Sequence, residues 1–553
     1  MKNRFFTVML LLIFMVTLTG NAQATSPAST DKPALVYVDL SAPDDLSRFS
    51  STHLPMYTML DGGLLTGADR AGQKSLQEAG MTIQVLDPDL RSDSYYQVET
   101  KSSRPTPDFA AYGLVLLKTA NGVLLRMDPS KVDALTQAGV DLRLITLTPK
   151  PLPTAQSEAI SPDVVDPDPL IQGMIDQVST DQIYEYDRGL AGEIPVWVDD
   201  GWYTIGTRHT NSGTPIQKTT SYVGQHMSND LGLGVEYYQW KNSTNPDVIG
   251  EISGLTSPEN IFIIGAHIDD VSGTPGADDN ASGSVATLLA ADILSQYQWG
   301  CTLRFAFWTG EEQGLLGSDA YAQHVYNSGE NIVGYLNLDM IAWNTPNSPA
   351  SIYLGYRSSV PRSLDLANLF SDVVDAYNIN LQPVIGTSYD GSSDHTSFLD
   401  RGYPSILAIE GNNDFNPYYH KPQDTPAITD PIYFTDFVKA SIATYAHMSD
   451  CLIPSGVGYL DGHVTAASGG DLPLEGATAI ANDRQGHTYT DITDPAGYYT
   501  MTLPADTYTV TASMDGYITQ SVSASVVAGK TKTIDFSILQ YIWRFFLPTV
   551  NKN

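Results

Sequence analysis

Basic residues are scarce in this 553-residue sequence. Lys and Arg number 29 against 62 Asp and Glu, a net charge of −33. Such a surface repels phosphate backbones and anionic membranes, which argues against nucleic-acid binding. The acid excess reads instead as the solvated surface of an exported protein. Cysteine is nearly absent, with only Cys301 and Cys451. Neither sits in a C-x-x-C pair, which argues against thiolate metal sites. One disulfide or two buried thiols would both fit the pair. Beyond Leu18 no long apolar run occurs, so no membrane span is expected. Charged residues make up only 16% and hydrophobic residues 42%. That is too apolar for a disordered chain, and the length is too great for one core, so three or four domains are expected.

What is present begins with MKNRFFTVMLLLIFMVTLTGNAQA. A positive start, a short apolar stretch and Ala22-Gln23-Ala24 read as a secretory signal peptide over 1–24. The chain is therefore expected to be secreted or extracellular. Residues 25–150 hold a weak internal duplication: GGLLTGADRAGQKSLQEAGMTIQVL and GVLLRMDPSKVDALTQAGVDLRLI. Each copy reads as strand, short helix and strand, with Gly80 and Gly139 as helix C-caps. This predicts a small α/β domain in the place of a propeptide, with interdomain packing as the other reading. Six prolines in 148–169 mark a linker, placed at 151–169, and a protease-sensitive site. Residues 25 to about 165 are expected to be cut off or displaced for full activity, because this linker separates them from the metal domain.

Between 170 and 453 apolar runs alternate with helical ones. IFIIG, LRFAFW, YLNLD and SILAI read as strands covered on both faces. The fold class expected is α/β, a mostly parallel central sheet flanked by helices. Residues 457–539 switch to short alternating segments separated by turns, the pattern of an all-β sandwich. An aromatic tail, 540–553, follows.

In open α/β sheets ligands collect beyond the carboxyl ends of strands. Acids and imidazoles gather at those ends here: His267 after IFIIGA, then Asp278 and Asp279, Glu311 and Glu312 after LRFAFWTG, Asp339 ending YLNLD, and His420 after the last strand. So many acids at one edge would be costly without cations among them. A His/Asp/Glu set lacking Cys suits zinc, or less selectively manganese or cobalt. Two ions about 3.5–4 Å apart would need one bridging carboxylate and one further acid that is not a ligand.

The ordered motifs GAHIDD, PGADDNASG, FWTGEEQGLLGS, LNLDM, SDHTSF and HKPQD resemble the secreted co-catalytic zinc aminopeptidases of the aminopeptidase S and aminopeptidase Y type, over roughly residues 180–450. The resemblance implies two Zn2+ per chain and release of N-terminal residues, usually large and apolar, from peptide or protein substrates. It implies His267, Asp279, Glu312, Asp339 and His420 as metal ligands. Asp279 would bridge, Asp339 would share an ion with His267, and Glu312 with His420. It implies Glu311 as the general base. Asp394 resembles a supporting acid of that family. Tyr389 resembles a tyrosine that helps stabilise the oxyanion in some relatives. Those relatives carry a cysteine pair around it, where this chain has Ser388, Gly391 and Ser392, so a packing role for Tyr389 stays open.

Asp269, two residues after His267, reads as an acceptor that orients the imidazole, with a plain loop carboxylate as the other reading. Asp278 reads either as a cap for the following helix or as a turn residue. His395, His209, His226, His324 and His447 read as structural. The C-terminal segment resembles the carboxypeptidase regulatory-like, transthyretin-like domain, which implies folding assistance or surface attachment. Three alternatives stand beside the aminopeptidase: a carboxypeptidase or a glutaminyl cyclase on the same metal fold, and a cell-surface binding protein with an inactive catalytic fold.

Overall fold

The computed structural model describes residues 32–541, apart from positions 43, 61, 101–104, 153–164, 242–243, 388–390, 454–455, 468–471 and 484–487. The leader, Tyr389, most of the Pro-rich linker and nearly all of the aromatic tail therefore lie outside the described residues. Among the described residues no helix is long and apolar enough to cross a membrane.

The N-terminal region contains two four-stranded antiparallel sheets. The first is built from β1 (Ala34–Asp39), β2 (Met56–Leu60), β3 (Gly63–Ala68) and β4 (Ile83–Asp87), with helices α1 (Asp45–Ser51) and α2 (Arg70–Glu78). The second takes β5 (Tyr95–Thr100), β6 (Gly113–Lys118), β7 (Gly122–Met127) and β8 (Val140–Leu144), with α3 (Val132–Thr136) before the last strand. Each of the helices α2 and α3 is followed within three residues by a glycine in the left-handed region: Gly80 at φ 77° and Gly139 at φ 82°. A side chain there would clash with its own backbone, so glycine ends each helix and turns the chain into the next strand. The second sheet runs β6-β7-β5-β8, which leaves β8 on an edge.

Helices α4 (Pro169–Ile175) and α5 (Thr180–Leu190), the hairpin β9 (Val196–Val198) and β10 (Gly201–Tyr203), and α6 (Thr214–Gln225) lead into the large sheet. Its strands are β11 (Gly234–Tyr238), β12 (Asp247–Ile252), β13 (Ser257–His267), β15 (Cys301–Trp308), β16 (Asn331–Leu338), β17 (Ser351–Gly355), β18 (Gln382–Gly386) and β19 (Ser405–Glu410); the short β14 (Gln298–Trp299) pairs instead with β20 (Leu452–Ile453). The order is β11-β12-β15-β13-β16-β19-β17-β18. Its middle, β15-β13-β16-β19, is parallel throughout, so four strand ends meet at one edge. The flanking pairs β12–β15 and β17–β19 are antiparallel.

Helices α7 (Gly283–Leu294), α8 (Leu316–Ser328), α9 (Pro361–Ala376), α10 (His395–Leu399) and α11 (Pro431–Ser449) cover the sheet. Apart from Asp292, α7 is buried all round, which explains why its sequence, GSVATLLAADIL, carries almost no polar face. Cys301 at the start of β15 is disulfide-bonded to Cys451 just after α11. The C-terminal region is a separate pair of sheets around its own core. In Val457–Ala466 buried and partly exposed residues alternate, as the period of two requires when one face packs inward.

Candidate metal centre

The site forms where the central parallel strands end. His267 is the last residue of β13, and Asp339 follows β16 by one position. Glu311 and Glu312 lie in the turn after β15, and His420 in the loop after β19. Asp279 lies in the tight turn Ala277–Ser282 that feeds α7.

The side chains close on two adjoining positions. His267, Asp279 and Asp339 offer donor atoms within 4.8 Å of one another, and so do Asp279, Glu312 and His420. Asp279 belongs to both sets. Its Oδ1 lies 3.4 Å from His267 Nε2 and its Oδ2 3.2 Å from His420 Nε2. His267 Nε2 is also 3.4 Å from Asp339 Oδ1, and His420 Nε2 is 3.3 Å from Glu312 Oε2. Glu311 approaches on the His267 side.

The far nitrogen of each imidazole fixes its tautomer. His267 Nδ1 donates to the carbonyl of Asp269 at 3.1 Å, and His420 Nδ1 to the carbonyl of Thr136 at 2.6 Å. A carbonyl only accepts, so each Nδ1 carries a proton and each Nε2 is the nitrogen turned to the centre, free to ligate once it is deprotonated. Asp269 thus meets the His267 ring through its backbone carbonyl rather than its carboxylate. That carboxylate stands 3.7 Å off and accepts from Thr210 Oγ1 at 2.8 Å and from the Glu311 amide at 3.3 Å.

Asp278 is not the helix cap. It accepts from the Ala342 amide at 2.8 Å and from Asn416 Nδ2 at 2.9 Å, tying three loops together. Three supporting residues carried no role in the sequence reading. Asp424 accepts from the amides of both Asp278 and Asp279 at 3.0 Å, fixing the backbone of the shared carboxylate. Ser393 Oγ donates to Asp339 Oδ2 at 2.6 Å. Asn280 bonds across to the Leu338 carbonyl at 3.0 Å. Asp424, Asn280 and Ser393 lie inside the motifs HKPQD, PGADDNASG and SDHTSF, so a signal was present for all three. Asp394 and His395 are fully buried beside the site and offer no donor atom to these groups.

The electrostatics are those of a centre short of positive charge. The lining holds Asp141, Asp279, Glu311, Glu312 and Asp339 with two imidazoles, and neither Lys nor Arg. Burial, reinforced by Glu312, Asp394 and Asp339, pushes the Glu311 carboxyl well above its usual range. Burial and Asp279 push Glu312 up to about 8. Burial would lower the His420 pKa, but Glu312 and Asp279 outweigh it and raise it to about 10. Burial likewise pushes Asp394 up to about 7. Glu312 Oε1 is buried with no hydrogen-bond partner among the described residues. An oriented nitrogen-and-oxygen donor set with a stranded carboxylate oxygen fits zinc well.

Residues 247–444 match the model of peptidase family M28, and residues 460–539 that of the carboxypeptidase regulatory-like domain. The chain thus carries an M28 peptidase domain followed by a regulatory-like domain. It is 38% identical over 171 residues to a probable leucine aminopeptidase 2 of Aspergillus oryzae, covering 30% of this chain and 33% of that protein. It is 32% identical over 267 residues to aminopeptidase Y of Saccharomyces cerevisiae, covering 44% and 48%. The chain therefore spans a third to a half of the length of these curated relatives. The solved LapA aminopeptidase of Legionella pneumophila shares the fold, with a TM-score of 0.51 at 18% identity, covering 64% of this chain and 98% of that one.

Proposed function

We propose that this chain is an exported zinc-dependent aminopeptidase that releases N-terminal residues from peptides, with two zinc ions held by His267, Asp279, Asp339, Glu312 and His420. The observation that carries the reading is the lining of the centre: oriented imidazoles and carboxylates, with no cationic side chain. A carboxypeptidase needs a cation to hold the substrate's terminal carboxylate. The named aminopeptidase relatives support the same choice.

When bound, zinc would supply Lewis-acid polarisation of the scissile carbonyl and of the attacking water. This chain's own residues do the rest. Asp279, its backbone held by Asp424, presents one oxygen to each position. Ser393 holds Asp339 in one orientation. Glu311, on the His267 side of the centre, accepts a proton from the attacking water and passes it to the leaving amine. Met340, Ile409 and Tyr419 form an apolar wall beside the centre, which supports large apolar side chains as substrates.

Digestion of free and N-acetylated peptides, read by mass spectrometry, tests this. The expected result is stepwise loss from free N-termini and none from blocked ones. Loss from the C-terminus, or cyclisation of N-terminal glutamine without hydrolysis, would replace the aminopeptidase by one of its alternatives.

A further inference from the structure

The cleft over the metal centre is already occupied. The cavity there measures about 20 Å³. That is room for roughly one water, whereas sites that take small organic ligands run to about 300–1,000 Å³. Two of its walls, Asp141 and Leu142, belong to the edge strand β8 of the N-terminal region.

The period of two points Asp141 and Arg143 the same way, toward the catalytic domain. Asp141 accepts from the hydroxyl of Tyr419, whose ring stacks on His420 at 3.6 Å. Arg143 pairs with the buried Asp400, which also holds Lys150 Nζ and Arg357 Nη1, each at 2.8 Å. Lys150 reaches Asp319 as well, at 3.3 Å. The Leu144 amide donates to the Gly314 carbonyl at 3.1 Å. Gly314 has φ 116°, and a Cβ there would lie 2.7 Å from the Leu144 nitrogen, so only glycine admits the strand. Just before β8, α3 supplies the Thr136 carbonyl that fixes the His420 tautomer, and Asp133 pairs with His209 at 3.1 Å.

We infer that the N-terminal domain is an internal inhibitor that also keeps the metal centre assembled. Edge strand β8 fills the substrate cleft, and Thr136 holds His420 in its ligating tautomer. Arg143 and Lys150 on Asp400 are the latch. The inference rests on the peptidase reading for what is inhibited, but not for what covers the cleft. With β8 in place only the small fraction of open molecules can bind peptide, so weakening the latch raises that fraction and the apparent affinity with it.

The test uses the full-length, zinc-loaded chain, its Arg143→Met/Lys150→Met variant and the milder Lys150→Met. Methionine keeps the volume, and Asp400 keeps Arg357. Three quantities are read: kcat/KM on leucine arylamide, amide exchange across 140–145, and the rate at which a chelator removes zinc. The double variant is expected to gain at least about tenfold in kcat/KM, exchange faster at β8 and release zinc faster, with Lys150→Met intermediate. Faster exchange and zinc release with no arylamide cleavage in any protein would support the covered cleft and sink the peptidase reading. Equal kcat/KM and equal exchange in all three proteins would overturn the inhibitor.

Discussion

Two clusters of buried charge lie on the catalytic domain, and they are built in opposite ways. At the metal centre five carboxylates meet two imidazoles, with no Lys or Arg. In the cluster around Asp400, two carboxylates, Asp400 and Asp319, meet Arg143, Lys150, Arg357 and Arg401. The pKa directions follow. At the centre burial pushes Glu311 and Glu312 up, with no Lys or Arg to offset it, and only the imidazoles of His267 and His420 hold Asp279 far below its usual range. Burial also pushes on Asp400 and Asp319. There Arg143, Lys150 and Arg357 hold Asp400 far below its usual range, and Lys150 and Arg401 pull Asp319 down to about 2. A buried cluster with its own cations is a finished joint. One without them is a vessel for cations from outside.

The sharpest way to break the contrast is to remove the carboxylate that both metal positions share. Asp279→Ala is expected to lose both ions and all turnover, read by metal analysis of the purified variant. Two ions still bound would end its assignment as the bridge. Next comes Glu311→Gln, which keeps shape but cannot take a proton. It is expected to retain both ions while kcat falls by about 10²–10⁴-fold. Glu312→Gln should instead weaken one metal position. A missing ion in the first variant and two in the second would exchange their roles.

On the balanced side, Asp400→Ala leaves Arg143, Lys150 and Arg357 facing one another. Breaking a buried pair costs about 3–5 kcal/mol. Denaturant melts should show that loss, or an early separate transition for the N-terminal domain. Acid should weaken the same joint. The folded pKa of Asp319 is depressed, so its contribution is full above its unfolded value near about 4 and fades as pH falls toward about 2. The smallest effect lies away from both clusters. Replacing Cys301 and Cys451 by serine is expected to cost about 2–4 kcal/mol while the metal content stays at two. Loss of metal in that variant would tie the disulfide to the centre.

The candidate metal donors were legible because each lies on the stretch of chain that leaves a strand's carboxyl end. An apolar run announces the strand, and the first polar residues after it fall at the strand's end. The parallel middle of the large sheet brings those ends together, so reading each run to its end gathered the candidates, while the family resemblance chose Asp279 over Asp278 and divided the roles of Glu311 and Glu312. Asp269 shows the limit. Its position two residues after His267 was legible, but whether carbonyl or carboxylate turned toward the ring depended on Thr210 and the Glu311 amide, which claim the carboxylate. Asp424 was visible within its motif, but its hold on the Asp279 backbone spans 145 positions.

What the sequence determined by itself is therefore local: the strands, the donors at their ends, the glycines that close α2 and α3, and the change of period that marks the C-terminal sandwich. Each follows from contacts within a few residues, where side-chain period and backbone freedom decide. What only the tertiary structure decided is the company these groups keep. That β8 lies over the centre, that Thr136 orients His420 from 284 positions away, and that Arg143 meets Asp400 across 257 depend on how two regions with their own sheets and cores dock. Docking is settled by shape and charge summed over whole surfaces, and no short stretch of sequence carries that sum.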